Sequence, residues 1–246
     1  MHREWSGKKY WLIGASEGLG RALAQVMSRS GVELILSARS EDRLKELVAE
    51  LPGKARAVPI DVADAESVAE ATKAAGDVDG VIYLAGVYWP MKAQEWDAEK
   101  AVAMVDVNFT GAVRVLGEII PPMVERGRGH IVLTGSLSGF RGLPGTVGYG
   151  ASKAGLMYLA EGVAMDLKDT GVQVQLVNPG FVKSRLTDKN DFKMPFIMEP
   201  EQAAQEIWEH LNTDDFDRNF PWGFSMLFRT SRFYPRWLYN RVFDRN

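Results

Sequence analysis

Short apolar runs alternate along the chain with longer stretches in which apolar residues recur at helical spacing. Residues 9–14 predict a strand, 18–30 a helix, 32–38 a strand and 41–51 a helix. Residues 56–60, 80–84, 130–134 and 172–177 predict further strands. Helical patterns near 65–75, 106–125, 149–168 and 201–211 lie between or after them. Parallel strands need crossover connections, and those crossovers are right-handed. Such a string therefore predicts an α/β fold with a doubly wound Rossmann-type parallel sheet, helices on both faces, and ligands at the carboxyl ends of the strands.

With 246 residues, 46% of them hydrophobic and 25% charged, the chain is long enough for a substantial core. No repeat, low-complexity linker or shift of composition divides it, so residues 1–246 are expected to form a single dinucleotide-binding and catalytic domain. A net charge of −3 argues against general affinity for nucleic acid, which needs a concentrated basic surface. There are no cysteines, which excludes disulfides, thiolate metal sites and cysteine nucleophiles and fits a reducing compartment. His2, His130 and His210 are far apart, lack metal-ligand spacing, and are expected to be ordinary structural or surface residues; no metal is expected. The first apolar run is too short and too promptly followed by glycines for a signal peptide, and no stretch approaches a membrane span, so a cytoplasmic location is expected.

Gly14-Ala15-Ser16-Glu17-Gly18-Leu19-Gly20 follows the first strand and opens the first helix. Its backbone N–H groups and the helix dipole can face a pyrophosphate, and glycines keep side chains out of that approach. The same letters contain G-x-S-x-G, the nucleophile elbow of serine hydrolases, with Ser16 as nucleophile. Against it, no oxyanion loop precedes the first strand, and the triad would need His130 or His210, neither in a telling context. The second predicted strand ends at Ala38-Arg39, nineteen residues after Gly20, where a dinucleotide fold senses the adenosine ribose. A carboxylate there would accept from a free 2′-hydroxyl, whereas the planar guanidinium of Arg39 suits a 2′-phosphate. NADP(H) is therefore favoured, with NAD(H) as the alternative. Glu17 tempers the preference unless its carboxylate turns away from the phosphate. Arg39 also has a bland explanation, as a surface residue before a helix capped by Ser40.

Tyr149-Gly150-Ala151-Ser152-Lys153 sets a phenol and an ammonium four residues apart, on one face of a helix. A tyrosine with an ordinary pKa of about 10 needs a nearby cation for acid/base work near neutrality, and Lys153 can supply it. Alone, that spacing equally describes a helix face carrying an amphipathic lysine.

Together with the glycine turn, this pair resembles the short-chain dehydrogenase/reductase family in its one-domain form, from the first strand to at least Ala204. The Gly14/Gly18/Gly20 pattern, with Ser16, Glu17 and Leu19 between, is similar to the family's cofactor loop. Asp61-Val62 resembles the pair that contacts adenine. By the same resemblance, Ala85-Gly86 belongs to the cofactor site, Asn108 holds a proton-relay water, and Ser136, thirteen residues before Tyr149, hydrogen-bonds the substrate oxygen. Tyr149 takes the acid/base role, and Lys153 binds the ribose and lowers the tyrosine pKa. Asn178-Pro179-Gly180-Phe181-Val182 resembles the segment covering the nicotinamide, with Ser184 where a threonine usually contacts the carboxamide. The sequence departs from the family at Tyr83-Leu84, where an asparagine that ties strands together is missing, and at Ile13, where the family usually has threonine. The implied activity is hydride transfer between NADP(H) and a carbonyl or alcohol, in either direction.

Residues 87–91, 139–143 and 194–198 are apolar and favour a hydrophobic small-molecule substrate, unless they pack on each other or on a partner. Residues 181–200 suggest a lid. Residues 218–246 form an aromatic and basic C-terminal extension, expected to pack against the subunit or a second copy in preference to a membrane surface. Helices at 108–125 and 149–168 resemble the family's dimer interface and imply a homodimer or homotetramer. A non-catalytic dinucleotide sensor on the same fold is the rival function; Ser136, Tyr149, Lys153 and Asn108 speak against it.

Overall fold

The structure, a computed structural model, describes residues 3–243, so His2 and the last three residues of the C-terminal extension fall outside the described residues. Seven parallel strands form one sheet in the order β3-β2-β1-β4-β5-β6-β7. They are β1 (Lys9–Ile13), β2 (Glu33–Ser37), β3 (Ala55–Ala57), β4 (Gly80–Tyr83), β5 (Gly129–Thr134), β6 (Val172–Pro179) and β7 (Asp217–Phe220). The order reverses between β1 and β4, which opens a crevice at their carboxyl ends.

The apolar runs form strands buried on both faces, as a parallel sheet requires. Along β1, Trp11 and Ile13 point to one layer and Tyr10 and Leu12 to the other, all 2% exposed or less. The first layer holds α3 (Ala65–Ala75), α5 (Gly111–Glu125) and α6 (Val147–Leu167). The second holds α1 (Gly18–Arg29), α2 (Glu41–Glu50) and α7 (Pro200–Leu211). Trp11 carries its polar atom into the core satisfied, with Nε1 donating to the Ser37 hydroxyl at 2.7 Å.

The structure departs from the sequence-based expectation in three places. The third strand is regular only over Ala55–Ala57, although Val58 and Ile60 still donate N–H bonds to Leu36 and Ala38. An unforeseen helix, α4 (Ala98–Val105), runs into α5 through a π-helical turn, Asp106–Thr110. The strand β7 takes up the beginning of the segment expected to be an extension, and two helices follow it, α8 (Trp222–Ser231) and α9 (Arg236–Phe243). Residues 181–200, the candidate lid, run as a loop whose stem is bridged where Lys183 N–H donates to Met198 and Met198 N–H to Phe181.

At the amino ends of β1, β5 and β6 the buried His130 ring is fixed on both nitrogens. Nδ1 lies 2.8 Å from both Arg3 Nη1 and the Tyr10 hydroxyl, while Nε2 lies 2.8 Å from Gln175 Oε1. The Gln175 amide in turn donates to the carbonyls of His210, Thr213 and Asp215. Arg3 can only donate, so Nδ1 must accept, Nε2 carries the hydrogen, and the imidazole is neutral. Burial first, then the Arg3 charge, hold its pKa down at about 3 against an ordinary 6.5. The unfolded chain therefore binds the proton first, and stability is lost as pH falls from 6.5 toward about 3. Within that window we expect the His130 contribution to cost about 1.4 kcal/mol per pH unit. Urea midpoints measured across it should fall more steeply for the wild type than for His130→Gln; equal slopes would remove the assignment.

Candidate active site

Successive strands deliver the candidate residues to one edge of the sheet. Gly14 follows β1, Arg39 follows β2, Asp61 follows β3, Ala85 follows β4, Ser136 follows β5 and Gly180 follows β6. Between them lies a cleft of about 680 Å³. Its walls include Gly14, Ser16, Glu17, Gly18, Leu19, Gly20, Arg39, Asp61, Val62, Ala85 and Gly86 on one side, with Tyr149, Lys153, Pro179, Gly180, Val182 and Ser184 on the other. Ser136 and Asn108 sit just behind that surface, 7% and 0% exposed.

The glycine turn is shaped as a cradle for an extended phosphate group. A Cβ on Gly20 would lie 2.1 Å from the Gly14 carbonyl oxygen, and one on Gly14 2.5 Å from the Ala85 nitrogen, so the helix start and two strand ends close together only without side chains. Gly14 also has φ +98° and Gly18 φ +52°, where a side chain is strained. Glu17 is the residue before α1, and its side chain makes no capping bond, which leaves first-turn N–H groups for a ligand. Deeper in the cleft the buried Thr134 hydroxyl has no protein partner. These features fit a dinucleotide with its pyrophosphate on the turn.

Arg39 is exposed on the cleft wall beyond the cradle. Arg43, one helical turn later, lines the same wall. The Glu17 carboxylate is engaged by Arg43 at 3.1 Å and by Arg185, so its charge is offset locally. The sequence reading singled out Arg39 alone: Arg43 lies inside a charged helical stretch, and Arg185 in a loop whose fold no periodicity announces. The elbow idea fails on geometry, because Ser16 lines the cleft whereas His130 lies at the opposite, amino end of β5.

Tyr149 opens the first turn of α6, and Lys153 follows one turn later. Surrounding side chains push the Tyr149 pKa up to about 12, with burial the main cause; hydrogen bonding with Ser136 pulls it down and Tyr88 pushes it up. Lys153 is 4% exposed, and burial lowers its pKa to about 8. Its Nζ donates to the Thr134 carbonyl at 2.7 Å and lies 5.8 Å from the Tyr149 ring centre. In the protein alone burial dominates the tyrosine, and the expected lowering by Lys153 is not among the causes of its shift.

The Ser136 hydroxyl oxygen lies 3.2 Å from the Ser138 N–H and 3.0 Å from the Ser138 hydroxyl. Asn108 sits in the π-helical turn, a feature frequent at functional sites. It accepts from Val87 N–H at 2.7 Å and donates to the Val87 carbonyl and the Ser152 hydroxyl, both at 3.0 Å. Asn108 thereby ties the loop after β4 to the helix turn bearing Lys153. Tyr88 meets the Tyr149 ring edge-on, with centres 5.0 Å apart, and its hydroxyl donates to Asn190 of the pinned loop at 2.9 Å. Thr134 and Ser138 are neighbours of the cleft that no spacing revealed, whereas Tyr88 lies in the 87–91 stretch expected on the substrate side.

Residues 8–194 match the family profile of the short chain dehydrogenases. An uncharacterized oxidoreductase of Myxococcus xanthus is 38% identical over 98% of this chain and 96% of its own. Among solved structures, a short-chain dehydrogenase from Streptomyces avermitilis superposes with a TM-score of 0.83 at 26% identity, over 93% of each chain. Another, from Sphingobium yanoikuyae in complex with NADPH, gives 0.81 at 25% identity over 87% of this chain and 88% of that one.

The depressed lysine makes a stability prediction. The unfolded chain holds the Lys153 proton up to an ordinary pKa of 10.5 and the folded one only to about 8, so stability rises with pH between those values. Lys153→Met should raise the melting temperature at pH 7 and lose that rise, while losing activity. A variant no more stable than the wild type at pH 7 would show that Lys153 is not held at a cost.

Proposed function

The chain belongs to the short-chain dehydrogenase/reductase family of oxidoreductases, and from that premise we propose that it interconverts a carbonyl and an alcohol on a small hydrophobic substrate, using NADP(H) and Tyr149 as the acid/base. The observation that carries the proposal is that Tyr149 and Lys153 line the cleft the glycine cradle opens, with Ser136 buried just behind its surface and hydrogen-bonded to Tyr149.

A bound nicotinamide supplies or accepts the hydride. Tyr149 holds a proton at its hydroxyl throughout the neutral range and in reduction delivers it to the substrate oxygen. Ser136 accepts from Ser138, which leaves its own O–H to donate to that same oxygen. Lys153 holds positive charge beside the phenol as Tyr149 gives up its proton; a dinucleotide's negative charge and ribose hydroxyls favour the charged lysine. Asn108, through Val87 and Ser152, keeps strand end and helix in register. In oxidation the same groups act in reverse.

The cofactor preference rests on Arg39 and Arg43, which share the wall where an adenosine ribose would lie, and on the local offset of Glu17 by Arg43 and Arg185. The NADPH bound by the Sphingobium relative is consistent with this choice. Substrate would enter beside Tyr88, Trp89 and Met91, an apolar cluster that also packs Tyr149.

Two substitutions test the proposal. Tyr149→Phe should retain cofactor binding by thermal shift while turnover on a carbonyl panel falls by roughly 10²–10⁴-fold; near-normal turnover would remove Tyr149 from the acid/base role. Arg39→Ala should weaken NADP(H) by about 1.5–3 kcal/mol, the range of a charge-assisted hydrogen bond, and leave NAD(H) almost unchanged. Equal losses in titrations with the two cofactors would overturn the phosphate argument.

A further inference from the structure

The helices α8 and α9 satisfy their inner side within the molecule. Ser225, Phe228 and Ser231 are buried on α8 and Tyr239 on α9, and the Tyr239 hydroxyl donates to the Gly142 carbonyl at 2.7 Å. Arg141 caps the junction by donating to the carbonyls of Ser231 and Tyr234. A surface helix so packed normally turns a polar face outward. Here the outer stripe is Trp222, Met226, Arg229 and Phe233, at spacings of four, three and four residues, with Trp222 74% and Phe233 81% exposed. Trp237 on α9 is 69% exposed, one turn before the exposed Arg241.

Charge sets this region apart as clearly as exposure does. Residues 222–243 contain Arg229, Arg232, Arg236 and Arg241 and no Asp or Glu, in a chain whose net charge is −3. We propose that the outer face of α8 and α9 docks on the surface of an anionic lipid bilayer. Tryptophan suits the headgroup level, and arginine stems can lie along the apolar boundary while their heads meet lipid phosphates. A second copy docking through the same face would bring two such basic segments together, with no carboxylate in either to offset their repulsion. No helix among the described residues is long and apolar enough to cross a membrane, so the contact is one of lying on the surface.

The face continues into the substrate side of the molecule. Phe196, 68% exposed at the end of the pinned loop, stacks against Phe224 of α8 with ring centres 5.4 Å apart, and Ile197 beside it is also exposed. The same loop lines the cleft with Ser184, Arg185, Leu186 and Thr187. Docking through α8 therefore sets the loop at the cleft's edge against the lipid surface.

Co-sedimentation of the full chain with vesicles tests this. Phosphatidylcholine vesicles with about one-third phosphatidylglycerol should pellet the protein, pure phosphatidylcholine much less, and added salt should release it. The triple variants Trp222→Ser/Phe233→Ser/Trp237→Ser and Arg229→Gln/Arg236→Gln/Arg241→Gln should each lower the bound fraction at least about fivefold at unchanged melting temperature. All six side chains point to solvent, so the fold does not depend on them. Wild-type protein that stays in the supernatant, equal binding to both vesicle types, or either variant binding like the wild type overturns the proposal. So does an oligomer, seen by analytical ultracentrifugation, that the aromatic substitutions dissociate without any vesicle binding: the face would then belong to a second copy.

Discussion

A buried ammonium with one fixed backbone partner constrains this molecule more than any other single group. Lys153 is almost wholly inside, with its Nζ held by the Thr134 carbonyl. Burial alone favours its loss of a proton, so the surroundings must hold the side chain where solvation would not. They do so through the helix turn that carries it. Ser152 receives a hydrogen bond from Asn108 and donates one to the Tyr149 carbonyl at 2.7 Å, while Asn108 clamps both backbone groups of Val87. The turn of α6 that carries Tyr149 and Lys153, the loop after β4 and the turn between α4 and α5 therefore cannot shift independently. Positioning of this kind is what acid/base chemistry needs, and burying a lysine there works against stability at the place where the proposed function lies.

The two ends of the sheet divide labour on the same principle. At the amino ends, His130, Gln175, Tyr10 and Arg3 form a network whose polar groups find partners within the protein. At the carboxyl ends Glu17 leaves the first turn of α1 without a side-chain cap, and the Thr134 hydroxyl in the cleft wall has no protein partner. A parallel sheet can leave polar groups open at that edge because the reversal of strand order between β1 and β4 parts the covering helices there. Satisfaction at one end and openness at the other are the same accounting of hydrogen bonds, closed by protein in one case and left to a ligand in the other.

Much of this was legible in the sequence. The strands β1, β2, β4, β5 and β6 stood out because residues such as Trp11, Ile35, Ile82 and Val132 are buried whichever face they point to, so apolar runs mark the strands directly. Resemblance to the family located Asn108, Ser136, Tyr149 and Lys153, which spacing alone did not separate from ordinary helix residues. The strand β7 was hidden: its four residues, Asp217–Phe220, are mostly polar, and only Asn219 and Phe220 are buried. The helix α4 was missed because a π-helical turn interrupts the periodicity where it joins α5. Arg43, Arg185 and Tyr88 act through partners distant in sequence, and no local pattern encodes those contacts.

The departure at Tyr83 shows how a lost sequence feature can be replaced by a contact of another kind. Where an asparagine was expected to join strands, the Tyr83 side chain reaches past the sheet, and its hydroxyl donates to the Val107 carbonyl at 2.6 Å. Burial pushes the Tyr83 pKa far above its ordinary value, so this donor stays protonated across the neutral range. Gly111 makes room for it: a Cβ there would lie 2.6 Å from the Tyr83 oxygen. Val107 immediately precedes Asn108, and the bond thus anchors the π-helical turn that aims Asn108 at Val87 and Ser152. The Tyr83 hydroxyl thus ties β4 to the turn that carries Asn108, the residue that holds the Tyr149–Lys153 turn of α6 in place.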